Sequence, residues 1–134
     1  MLDTNICIYI IKKRPTEVIK KFKTFHIGEI CMSSISLAEL MYGVEKSQYP
    51  KKNSTALGEF KLPLDILPFD EEVTHYYGRV RAYLEKKGTS IGALDLMIAA
   101  HALCINSILV TNNIKEFSRV PKLRVENWYI PIAN

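Results

Sequence analysis

Asp3, Glu39, Asp95 and Glu116 are four carboxylates set in short apolar or small-residue stretches: Met1-Leu2-Asp3-Thr4-Asn5, Leu37-Ala38-Glu39-Leu40, Ala93-Leu94-Asp95-Leu96 and Lys115-Glu116-Phe117. An unpaired charge is costly in such surroundings. If the fold gathers these four, their repulsion raises the cost further, unless a divalent cation neutralises them. Carboxylates are hard oxygen ligands of the kind Mg²⁺ and Mn²⁺ prefer. The chemistry they point to is metal-assisted attack on a phosphate, in which a bound ion polarises a phosphate oxygen and lowers the pKa of a water.

Each acid also has a purely structural reading. Ser36-Leu37-Ala38-Glu39 fits the capping box Ser-x-x-Glu, in which the glutamate bonds back to the N-cap amide. Asp95 can complement the positive end of its helix. Asp3 can cap the first helix through the Asp-Thr-Asn turn, and Glu116 can be an ordinary solvated glutamate. The histidines His26, His75 and His101 lie in unrelated contexts, so a metal-free mechanism with paired imidazoles is not indicated.

The elements that would position these residues follow from the apolar pattern. Met1-Leu2 is a strand stub ending at Asp3, short beside the usual five or so residues of a strand. Asn5 is placed to cap a helix running to about Lys13. Pro15 opens a second helix with Val18, Ile19, Phe22 and Phe25 on one face. Glu29–Ser33 reads as a buried strand, Ser36–Ser47 as a helix and Pro50–Lys61 as a weaker one. Asp65–Phe69 is a short strand. Asp70 caps a long helix stopped by Gly88. Ala93–Cys104 is an apolar helix, Ser107–Thr111 a buried strand and Arg124–Trp128 an edge strand. Strands alternating with helices give a parallel sheet covered on both faces. Sites in such sheets form beyond the carboxyl ends of the strands. Asp3, Asn112, Asn113 and Glu116 follow strands, and Glu39 and Asp95 fall in the first turns of helices, so all lie at one edge.

The 134 residues suit one domain, and a hydrophobic share of 48% excludes a disordered chain. The net charge of +4 permits a nucleic-acid partner without requiring one. Basic clusters lie at Lys12-Lys13-Arg14, at Lys46, Lys51 and Lys52, and at Arg79, Arg81, Lys86 and Lys87, each of which can equally be a solvated face. Cys7, Cys31 and Cys104 form no Cys-x-x-Cys pair, so they read as core thiols in a reducing cytoplasm. The apolar run Ile6–Ile11 is too short to span a membrane and is followed, not preceded, by basic residues.

Taken in order, Asp-Thr-Asn after the N-terminal strand, Ser-x-x-x-x-Glu-Leu-x-x-Gly, Asp-Leu-Met-Ile-Ala-Ala-His-Ala, and Leu-Val-Thr-Asn-Asn-x-x-Glu-Phe resemble the PIN-domain nucleases. Tyr42–Ser47 and Glu126-Asn127-Trp128 are similar to the VapC toxins among them. The resemblance covers Met1 to about Trp128. It implies an α/β fold, an α/β/α sandwich with a mostly parallel, roughly five-stranded sheet, and a Mg²⁺- or Mn²⁺-dependent endoribonuclease that cuts structured RNA at a loop such as a tRNA anticodon. It implies Asp3, Glu39 and Asp95 as the acidic triad, with Thr4, Asn5 and Thr111 in support. Many PIN domains carry Thr-x-Asp where this chain has Thr111-Asn112-Asn113; Asn113 and Glu116 are the residues available to replace the missing carboxylate. The implied partners are a VapB-type antitoxin, RNA, a second copy of the chain in a homodimer, and operator DNA reached through the antitoxin, with no membrane. The alternative is a catalytically inactive PIN-like scaffold that only binds a protein, which the Asn112-Asn113 pair would suit.

Overall fold

The computed structural model of the chain describes residues 1–129. Its helices are α1 (Thr4–Lys12), α2 (Thr16–Lys23), α3 (Ser34–Glu45), α4 (Pro50–Lys61), α5 (Glu71–Lys87), α6 (Ala93–Cys104) and α7 (Ile114–Phe117). The strands are β1 (Cys31–Ser33), β2 (Asp65–Leu67), β3 (Leu109–Val110) and β4 (Val125–Glu126). β1 pairs with β2 and β3 with β4, both in parallel. The segment Met1–Asp3 joins the two pairs. The Leu2 amide donates to the Cys31 carbonyl (2.9 Å), the Asp3 amide to Val110 (2.8 Å), and the Val110 amide to Met1 (2.8 Å). The order across the sheet is therefore β2, β1, residues 1–3, β3, β4: five parallel segments, the central one reduced to a single bridge at Leu2.

Alternation along these short strands divides the core in two, as the period of two requires. Leu2, Met32 and Val110 face a cluster with Ile6, Cys7, Ile10, Val18, Leu40, Leu57 and Phe60 from α1 to α4. Met1 and Leu109 face the other side, against Val80, Leu84, Leu96, Ile98, Ala99 and Phe117 from α5, α6 and α7. The result is the three-layer α/β/α sandwich expected. Each fully buried Leu or Ile contributes on the order of 1.5–3 kcal/mol. Among the described residues no helix is long and apolar enough to cross a membrane.

α5 follows its sequence signals. Asp70 caps it by accepting from the Val73 amide (3.3 Å), and Gly88 ends it at φ +69°. Of the two caps the sequence offers for α1, Asp3 and not Asn5 is used, and its carboxylate accepts from the Thr4 amide (2.8 Å). Lys13 closes α1 in the left-handed region instead of extending it. α3 does not start where the sequence suggests. α3 begins two residues before Ser36, capped by Ser33, whose hydroxyl accepts from the Ile35 amide (3.1 Å). Ser36 is thus inside the helix, fully buried, and its hydroxyl has no hydrogen-bond partner. The capping box is overturned, and Glu39 sits in the second turn of α3 rather than the first.

Candidate active site

The carboxyl edge of the sheet carries the candidate residues. Asp3 ends the central segment and is 3% exposed. Its carboxylate accepts from the Thr4 amide on one oxygen and from the Thr111 hydroxyl on the other (2.8 Å each). Thr111, directly after β3, is fully buried, and its hydroxyl also accepts from the Asn113 amide (3.0 Å). The Asn113 side chain then donates to Glu116 (3.0 Å), leaving its carbonyl oxygen as the atom able to ligate. On the other flank, the Thr4 hydroxyl donates to Glu39 (3.1 Å). Hydrogen bonds thus link Glu39, Thr4, Asp3, Thr111, Asn113 and Glu116 in one chain. Asp95, in the first turn of α6, lies close enough to Glu116 to be raised by it.

Burial and mutual repulsion act together on these acids. Burial pushes Asp3 up, while the Thr111 and Thr4 hydrogen bonds hold it down. Burial also raises Glu39, helped by the charge on Asp3 and opposed by the Thr4 hydroxyl. Asp95 is pushed up to about 7, first by burial, then by its hydrogen bond to Glu116 and by the charges on Asp3, Glu116 and Glu39. Such perturbed carboxyls gathered at one edge mark a functional site. The ion pairs among the described residues, Lys21–Glu126 and Arg81–Glu85, leave this set uncompensated.

Among the described residues no three His, Cys, Asp or Glu side chains are close enough to hold a metal ion as they stand. Carboxylates of like charge repel at ligating distance, and Asp95 is raised by the charges on Asp3, Glu116 and Glu39. The donor set still fits a hard divalent cation by chemistry, being all-oxygen, partly buried and short of positive charge.

Asn112 is a residue the motif reading left without a role. Asn5 donates to its side-chain oxygen (2.5 Å), and its amide group donates to the Tyr9 hydroxyl (2.6 Å). That ties α1 to the turn after β3. Nothing in the sequence marks an asparagine in a loop as a link to a tyrosine more than a hundred positions away. His101, in α6, is 1% exposed and packs structurally: its Nδ1 meets the Ser33 hydroxyl (2.8 Å), and its ring stands edge-on to Phe69.

The PIN domain family matches residues 1–123. Ribonuclease VapC2 of Haemophilus influenzae is 48% identical over 128 residues, 96% of each chain. The tRNA(fMet)-specific endonuclease VapC of Shigella flexneri is 44% identical over the same span and coverage. The crystal structure of VapBC2 from Rickettsia felis, bound to a DNA fragment from their promoter, superposes with a TM-score of 0.91 at 46% identity. It covers 96% of this chain and 98% of that one. The chain belongs to the PIN-domain family, in its VapC ribonuclease branch.

Proposed function

We propose that this protein is the toxin of a type II toxin–antitoxin pair, a cytoplasmic endoribonuclease that uses Mg²⁺ or Mn²⁺ to hydrolyse structured RNA at an exposed loop, a tRNA anticodon loop being the substrate class. The observation that carries the activity is the hydrogen-bonded chain from Glu39 to Glu116, with Asp95 beside its end and no basic side chain in it. The Haemophilus relative, a ribonuclease, supports the reaction, and the Shigella relative, a tRNA(fMet)-specific endonuclease, supports a tRNA substrate. Solved relatives are toxin–antitoxin complexes, some bound to DNA, which supports an antitoxin partner and operator binding through it. We extend the reading to a homodimer and to a single PIN domain spanning residues 1–134.

Asp3, Asp95 and Glu39 are the residues to hold a divalent ion, with the Asn113 carbonyl and Glu116 at its margin. Such an ion supplies Lewis-acid polarisation of the phosphate and a water acidified toward neutral pH. The protein's own groups do the rest. Thr111 and Thr4 oppose the upward push of burial on Asp3 and fix its orientation. Thr4 aims Glu39 toward the same edge, where its carboxylate, raised by burial, is suited to accept a proton from the attacking water. Asp95, raised by burial and by its acidic neighbours, releases its proton when a cation takes the proton's place.

The rival, a catalytically inactive scaffold, draws on the Asn112-Asn113 pair and on the separation of the carboxylates. Incubating the purified chain, free of antitoxin, with tRNA and with single-stranded DNA decides between them. Cleavage of RNA that needs Mg²⁺ or Mn²⁺ and is lost in Asp95→Asn is expected. No cleavage at any divalent concentration would favour the scaffold.

A further inference from the structure

Beside the acidic edge lies a second pocket of about 360 Å³, walled by Ile8, Tyr9, Lys12, Arg14, Pro15 and Tyr129. Its composition sets it apart. It joins two aromatic rings to two cations, and no carboxylate lines it. The Tyr9 and Tyr129 rings are 5.4 Å apart and tilted by 37°. That leaves no room for a third ring between them, so only their outward faces are available for stacking. The backbone holds the cations in place. Lys12 is in the last turn of α1, the left-handed Lys13 reverses the chain, and the Arg14 amide donates back to the Tyr9 carbonyl (3.1 Å). Among the described residues neither Lys12 nor Arg14 is in an ion pair. Arg81, from another basic cluster, is already engaged by Glu85 and Tyr77.

Two observations tie this pocket to the acids. Ile8 and Lys12 also line the groove that contains Glu39, so the two depressions meet along one face of α1. The Tyr9 hydroxyl accepts from Asn112, whose neighbours Thr111 and Asn113 hold Asp3 and Glu116. A ligand on Tyr9 is thereby placed in fixed register with the acidic edge. Positive charge that tracks a backbone, together with an aromatic face for a base, is how proteins hold unpaired nucleic acid, and unpaired bases are what RNA enzymes read.

We propose that this pocket seats one unpaired nucleotide of the RNA substrate next to the cleaved bond, its base on the Tyr9–Tyr129 rings and its flanking phosphates on Lys12 and Arg14. The inference rests on the ribonuclease reading above and adds where the strand lies.

The test is the affinity of the purified chain for a short fluorescein-labelled oligouridylate in EDTA, read by anisotropy, alongside Mg²⁺-dependent RNA cleavage by the parent. Tyr129→Leu is expected to weaken binding about 5- to 100-fold, the range a lost base–aromatic stack gives. Tyr129→Trp, which keeps an aromatic face, is expected to restore it. Lys12→Gln and Arg14→Gln should each lower the slope of log K against log salt by about 0.7, while Lys122→Gln, on a distant turn, leaves it unchanged. An oligomer of abasic nucleotides should bind parent and Tyr129→Leu alike. Parent-like RNA affinity in Tyr129→Leu overturns the subsite even if the parent cleaves RNA. So does loss of binding to poly-glutamate with RNA affinity intact, which would give the pocket to an acidic protein segment. A parent that neither binds nor cleaves RNA removes the ribonuclease reading and the subsite with it.

Discussion

Two threonine hydroxyls set how much negative charge the acidic edge carries. Thr111 donates to Asp3, Thr4 donates to Glu39, and each pulls its acid down against the upward push of burial. Thr111→Val, nearly the same shape, removes the donor and lets Asp3 rise further. The acid limb of the pH–rate profile for RNA cleavage should then move to higher pH, and Thr111→Ser should return it. An unmoved limb would show that Asp3 ionisation does not control the rate. At this scale the sequence was informative about the acids, because their apolar flanks are anomalous. It was informative about Thr111 only through the motif it belongs to. Asn112 and Tyr9 were out of reach, since their contact is a product of the fold rather than of spacing.

At the scale of elements, Ser33, Ser34 and Ser36 are all acceptable N-caps, and local preference does not choose among them. The choice is made from outside the helix. The Ser33 hydroxyl accepts from Ile35 and meets His101 on α6, while the Ser34 hydroxyl accepts from the Phe69 amide (3.0 Å). This pins the start of α3, and so the height of Glu39 on it, to α6 and the β2–α5 connection. Ser33→Ala loses a cap worth about 1 kcal/mol and strands a buried imidazole at roughly 1–3 kcal/mol. Urea unfolding should show a loss in the range of about 2–4 kcal/mol; a loss under 1 kcal/mol would mean His101 finds another partner. The short α7 was not legible either, because four residues carry no periodicity. Yet it is α7 that brings Glu116 to Asp95. Glu116→Gln should weaken Mg²⁺ affinity about 10–100-fold in a cleavage titration, as removal of a supporting partner does. An unchanged titration would reduce the site to three acids.

The whole molecule is net positive, +4, yet concentrates one buried and three half-buried carboxyls at one edge of its sheet. The layering of helices on both faces of a parallel sheet was readable because alternating apolar runs leave few alternatives; the strand order was not. The separation of the carboxylates was not, since it depends on which acid bonds to which. That arrangement has a consequence for stability. In the unfolded chain an aspartate titrates near 3.9; in the fold Asp95, paired with Glu116, holds its own proton up to about 7. Between those values the folded state binds a proton the unfolded state has lost, so stability falls as pH rises. The contribution is fully present below about pH 4 and gone above the folded pKa. Because the pair is partly solvated, the change expected is reduced to about 1–2 kcal/mol. Thermal melts of the chain in EDTA should therefore drop in Tm from pH 5 to pH 8, against the rise usual for paired carboxylates. Asp95→Asn should flatten that slope and melt higher than the parent at pH 8. Mg²⁺ should raise the Tm of the parent at pH 8, adding about 2.7 kcal/mol of stability at a hundred times its dissociation constant, and should do little for Asp95→Asn. If Mg²⁺ stabilises both proteins equally, the ion binds away from Asp95, and the carboxyl edge is not the metal centre.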